Sequence, residues 1–311
     1  MLTTVLPATA AGAAPPECRG NPVSAVKAAD IAGLTDCAAD SVIIADENGP
    51  GSVSLPEPGY AVTFSATTEP GAPEIPEFTV YRSASGEVAS RSLTPQGEVA
   101  HGAASVINEF AAAESVVAPL ATSPKCDSYS YSVGGERWLA TVGWYYNPPS
   151  FGGQARIAAA FSGMADGIGA CGANKSNAAA HSYMGTTTTS ANMSGGTCLS
   201  SDQKVVVDSG AVASSTTLAQ ACTYRTTGQI IGGDVRISSA KTWYTSLSVT
   251  GCSGTKYDLQ GVITHEAGHL FGLNHVALAT QQVMKPSSTT CETSQRALGN
   301  GDLAGMKYLY P

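Results

Sequence analysis

The sequence predicts an α+β fold, and three observations carry that expectation. Residues from about 20 to 110 are short β-prone runs separated by proline and glycine. Past Cys126 the pattern turns to strand-like alternation interleaved with helical spacing. Finally, Leu259, Val262, Ile263, Leu270 and Phe271 recur at intervals that give one helix a buried apolar face, with Asp258 placed to cap its start.

In chain order, residues 1–14 read as a partial signal segment. An apolar run there leads to Ala11-Gly12-Ala13, a small-x-small cleavage pattern, although no Lys or Arg precedes Arg19. Residues 15–125 form the expected N-terminal region, a propeptide or accessory domain with a linker. Within it Ser41-Val42-Ile43-Ile44, Tyr60-Ala61-Val62-Thr63-Phe64 and Phe78-Thr79-Val80-Tyr81 read as strands and 103–117 as a helix. The run 116–125, with two prolines and several small residues, reads as the exposed connection that ends this mostly-β unit. Residues 126–311 are the second domain, where 138–146 alternates like a strand and 155–168 has helical spacing. The Ser/Thr/Gly-rich stretch 174–201 reads as a long surface loop pinned by Cys171 and Cys198.

A chain of 311 residues with 43% hydrophobic residues can bury two cores of ordinary size. A net charge of -8 with 13% charged residues gives no basic footprint for nucleic acid or anionic lipid. No stretch approaches the roughly 18 apolar residues that span a bilayer. The eight cysteines include no C-x-x-C pair, so disulfides and an oxidising, extracellular compartment are expected. Pairing is open from sequence, with Cys252–Cys291 favoured because it would tie the flanks of the segment described next.

That segment is His265-Glu266-Ala267-Gly268-His269-Leu270-Phe271-Gly272-Leu273-Asn274-His275, which matches H-E-x-x-H-x-x-G-x-x-H throughout. On a helix His265 and His269 stand one turn apart, so both imidazoles can reach one ion. Gly272 can take the left-handed conformation that ends the helix and turns His275 toward the same ion. Three neutral nitrogens and an open position describe a catalytic Zn2+, and Glu266, beside the first ligand, is placed to act as general base. Gly272 supports the site by its turn. The expectation is a zinc-dependent endopeptidase acting on protein or peptide substrates. Two alternatives are a non-enzymatic, zinc-stabilised extracellular binding module and a zinc hydrolase of a non-peptide amide or ester.

These residues resemble the metzincin clan of zinc peptidases, in which a Met-turn follows the long motif, and Met284 fits that place. Gly232-Gly233-Asp234-Val235-Arg236-Ile237 followed by Trp243, Leu218-Ala219-Gln220-Ala221, and the C-terminal 302–310 are similar to the glycine-aspartate strand, edge strand and closing helix of matrixins. The resemblance covers roughly 130–311. It implies a twisted mixed sheet with an active-site helix and a C-terminal helix, and a substrate lying extended and antiparallel to the edge strand. Gln220 and Arg236 replace histidines that hold a structural zinc in many matrixins, so no structural zinc is expected. Ser238, Ser239 and Lys241 stand where acidic calcium ligands would be, leaving Ca2+ only at other positions. Cys18 invites comparison with the matrixin cysteine switch, but the surrounding residues are in the wrong order and a Cys18–Cys37 disulfide is the better reading. The N-terminal region is then a candidate inhibitor by another device. His101 and His181, in polar contexts, read as solvated rather than ligating.

Overall fold

Alternation of small apolar with polar residues builds a broad mixed sheet in the computed structural model, which describes residues 18, 24–110, 125–172 and 177–311. The expected signal segment and most of the expected linker lie outside the described residues. The sheet comprises β1 (Ala61–Thr68), β2 (Glu77–Arg82), β3 (Val88–Thr94), β4 (Gly97–His101), β5 (Val142–Tyr146), β6 (His181–Thr186), β7 (Val205–Gly210), β8 (Thr217–Thr226) and β9 (Gln229–Ser238). Their order is β6-β5-β7-β9-β8-β1-β2-β3-β4. The β6-β5-β7-β9 half is parallel, and every pairing from β9 through β4 is antiparallel. Among the described residues, helices α1 (Ala104–Phe110), α2 (Gln154–Ala165), α3 (Leu259–Leu270) and α4 (Asn300–Leu309) match the expected helices, with α1 shorter than predicted.

Period-two geometry in β8 divides two cores. Ala219 and Ala221 face a core with Trp144, Ile157, Phe161, Val235, Val262 and Phe271, under α2 and α3. Cys222 and Tyr224 face the other, built mostly from N-terminal residues such as Leu34, Ile44, Val53, Phe64 and Phe78. A second small sheet joins 24–27, 42–45 and 52–54 to 197–198 and 193–194. The N-terminal strands therefore do not stand apart as a separate β unit. They continue the sheet of the later segment, and the strand expected as its edge, β8, is flanked by β1.

Two further expectations are corrected. The stretch 174–201 is not a plain loop: it supplies β6 and the short pair Met193–Ser194 and Thr197–Cys198. β6 lies at the sheet's end and is largely exposed, so its sequence lacks the apolar alternation of a buried strand. Cys171 pairs with Cys126, and Cys198 with Cys222, rather than with each other. Cys198 and Cys222 share the N-terminal core, which brings their Cα atoms to 5.7 Å. Cys18–Cys37 and Cys252–Cys291 form as expected.

Candidate metal centre

Asp258 begins α3 by accepting the Gly261 amide at 2.7 Å. Its carboxylate is also gripped by Arg296, with Nε 3.0 Å from Oδ1 and Nη2 2.6 Å from Oδ2, a partner that the sequence did not reveal. Val262, Ile263, Ala267 and Leu270 bury the apolar face and fix the helix's rotation. His265 and His269 thereby stand one turn apart, their rings meeting edge to face with centroids 4.7 Å from each other. Gly272 has φ +97°, and a Cβ there would press on the Glu136 carbonyl oxygen, so the turn requires glycine. After the turn, Leu273–Asn274 pairs with Ser132–Val133, and His275 meets the two helix histidines.

The three Nε2 atoms lie 3.0, 3.1 and 3.2 Å from one another. Tetrahedral ligands at about 2.0–2.1 Å from zinc would be separated by about 3.3 Å, so this spacing fits one ion. The other ring nitrogens are engaged: His265 Nδ1 is 2.8 Å from the Val283 carbonyl, and His269 Nδ1 is 2.9 Å from that of Leu273. Such partners hold Nδ1 as the donor and leave Nε2 bare for a metal. Burial pushes His265 and His275 well below the usual imidazole range, and the neighbouring His269 adds to this. Burial alone would lower His269 too, but the Glu77 carboxylate 3.2 Å from Nδ1 turns the net shift upward.

Glu266 is fully buried, and burial pushes its carboxyl up to about 7 against the pull of His269 and Thr67. Thr67 Oγ1 donates to Oε1 at 2.6 Å, while Oε2 is buried with no protein partner. An orphan acceptor beside three converging imidazoles fits a site that holds a further polar group. Met284 is buried under the helix, where a Cβ on Gly268 would overlap its Sδ. Asp302 anchors that turn, accepting the Val283, Met284 and Gly299 amides at 2.8, 3.2 and 2.8 Å.

His265, Glu266, His269, Gly272, His275 and Met284, all predicted, come together at one site. Thr67, Glu77 and Asp302 were missed; the first two arrive from the N-terminal region, nearly two hundred residues away in the chain, and carry no local signal. Asp302 sits three residues after Gly299, a capping spacing that could have marked it. Gln220 spans the Ala213 amide and the Gly195 carbonyl, and Arg236 binds Asp208 and the Met193 carbonyl, so both tie down the segment 191–213. Lys241 pairs with Glu69 at 2.6 Å. His181 is not solvated as expected: it is half-buried between Trp144 Nε1 at 3.2 Å and Ser162 Oγ at 3.0 Å. His101 lies 3.6 Å from Glu47. Neither joins the metal cluster.

The comparisons with known proteins agree with this geometry. Residues 199–311 match the family model for matrixin, a shorter span than the resemblance from 130 onward suggested. A 78-residue stretch is 37% identical to metalloendoproteinase 1-MMP of Arabidopsis thaliana, covering 25% of this chain and 21% of that relative. The match thus spans about a fifth of the relative's length. With the long histidine motif, the glycine turn and the buried methionine all inside the matched span, the C-terminal part of this chain is a matrixin-like metzincin domain.

Proposed function

We propose that the chain is an exported zinc-dependent endopeptidase, made with an N-terminal region that restrains it. The observation that carries this reading is the meeting of three Nε2 atoms beside a buried carboxylate with one unpartnered oxygen, inside the matrixin-like span. His265, His269 and His275 would hold the zinc, with Gly272 shaping the turn and Met284 packed beneath. Zinc supplies a Lewis acid that polarises a peptide carbonyl and eases deprotonation of water. Glu266 accepts the proton from the attacking water and returns it to the leaving amine nitrogen, a task suited to a carboxyl that titrates near neutrality. Burial strengthens the first step, because a carboxylate removed from water is a stronger base.

By the matrixin resemblance, substrate lies extended against β8, where backbone pairing supplies affinity without sequence demands. Four disulfides fit an extracellular setting. Among the described residues no helix is long and apolar enough to cross a membrane. The test is casein hydrolysis by the zinc-loaded chain, briefly nicked with trypsin that is then quenched, beside a chelator control and Glu266→Gln. Loss of cleavage in both controls supports the assignment; equal rates in Glu266→Gln and the parent would sink it.

A further inference from the structure

A peptidase that works on outside chains must let them reach its carboxylate, yet Glu266 and Thr67, which covers it, are both at 0% exposure. The cover is the chain's own β1. It runs antiparallel to β8 from Ala61 opposite Arg225 to Thr68 opposite Thr217. Val62, Phe64 and Ala66 point into the N-terminal core, and the alternation turns Thr63, Ser65 and Thr67 toward α3. Thr67 donates to Glu266 Oε1 from its side chain.

The end of the strand is held on both sides. The Thr68 amide donates to the Pro286 carbonyl and the Ser288 amide to the Thr68 carbonyl, each at 3.0 Å. Glu69 then donates its amide to Thr216 and accepts from Lys241 Nζ at 2.6 Å and Tyr257 OH at 2.8 Å. On the return, Glu77 accepts the His275 amide at 2.9 Å. The space left among Thr63, Ser65, Arg225 and His269 is a cavity of about 20 Å³, room for one water and not for a second strand. All eight cysteines are in disulfides, so no free thiol is at hand to block a metal.

We propose that β1 is a built-in blocking strand: it occupies the β8 edge in the place and sense of an extended peptide, seats Thr67 on Glu266, and must be displaced before an outside peptide can enter. The proposal rests on the reading of the histidines and Glu266 given above. It names backbone pairing and the Glu69 clasp, rather than a thiol, as what holds the site closed. Small hydroxyl side chains at 63, 65 and 67 are what lets the strand lie flat on the helix, and a competing peptide would need similarly compact residues there.

The experiment uses the full zinc-loaded chain and two variants, Ser65→Pro, which removes a ladder amide of β1 opposite Ala221, and Glu69→Lys, which opens the clasp. Binding of a fluorescent peptide hydroxamate, hydrogen exchange of the 61–68 amides and casein hydrolysis are read in parallel. If the closed form dominates, release of the strand should tighten hydroxamate binding at least about tenfold as exchange of 61–68 rises. Equal binding by parent and variants, with 61–68 shown to be freed, overturns the proposal. Tighter binding with casein uncut in every variant keeps the blocking strand and removes the peptidase reading. Should Ser65→Pro not fold, Glu69→Lys decides alone, since it alters a partly exposed ion pair.

Discussion

Gly268 and Met284 touch so closely that the helix carrying the first two histidines can sit on the methionine only because residue 268 has no side chain: a Cβ there would overlap Sδ and come within 3.1 Å of the Met164 methyl. The glycine inside the histidine motif is thus a packing requirement on top of whatever the motif does chemically. Gly268→Ala sets two effects against each other. Alanine gains about 0.8–1.0 kcal/mol of helix propensity, while overpacking a filled core costs about 1–3 kcal/mol. The expected outcome is a net loss of roughly 1 kcal/mol in urea unfolding, with weaker zinc retention. A variant more stable than the parent would show that Met284 yields freely and does not seat the helix.

Zinc that binds the folded chain at the three histidines should stabilise it by mass action, by about 2.7 kcal/mol when free zinc is a hundredfold above its dissociation constant. The thermal midpoint should therefore fall on chelation and recover on adding zinc, and metal analysis should find one ion per chain. His275→Ala is the most telling variant, because its imidazole comes from outside the helix. It should lower bound zinc and abolish the zinc-dependent rise in midpoint. An unchanged rise would place the ion elsewhere.

Arg296 and Asp258 form a buried pair at the foot of the active helix, with the guanidinium also donating to the Leu247 and Ser246 carbonyls. Removing one partner strands the other charge away from water. Arg296→Met is expected to cost about 3–5 kcal/mol, measured by denaturant unfolding. Adding Asp258→Asn, which keeps the cap on Gly261 but removes the charge, should recover a large part of that loss. A double variant as unstable as Arg296→Met would mean that the pair acts through its backbone contacts instead.

The difference between Asp258 and Arg296 also marks how far the sequence could be read. Asp258, the apolar stripe after it, the histidines and Gly272 lie within eighteen residues, so local periodicity and turn chemistry were enough to place them on one helix and its exit. Arg296 reaches Asp258 from 38 residues downstream, and Thr67 reaches Glu266 from 199 residues upstream. Nothing in short-range spacing encodes such contacts. The same limit explains β8. Its composition was recognised, but whether it stood at the sheet's edge depended on β1, a strand from the other region. β6 escaped for the opposite reason, since an exposed end strand need not alternate. Disulfides that close a segment's flanks, such as Cys252–Cys291, were guessed from topology, whereas Cys198–Cys222 required knowing which core both entered.

Glu69 makes the hold of β1 on the rest of the chain sensitive to acid. Its hydrogen bond with Lys241 lowers the carboxyl below its ordinary value of 4.5, against a smaller opposing effect of burial and with help from Tyr257. A carboxyl whose folded pKa lies below its unfolded one contributes stability that is present above the ordinary value and lost as pH falls through the folded one. The clasp should therefore be intact at neutral pH and loosen only below about 4.5. Because the carboxylate is partly exposed, the effect will be local and reduced by salt. Hydrogen exchange of residues 61–69, corrected for the intrinsic pH dependence, should rise in the parent between pH 5 and pH 3 more than in Glu69→Gln, whose clasp carries no titrating group at 69. Identical pH responses in the two chains would show that acid opening does not run through the Glu69 carboxylate and would leave Glu69 as a neutral contact.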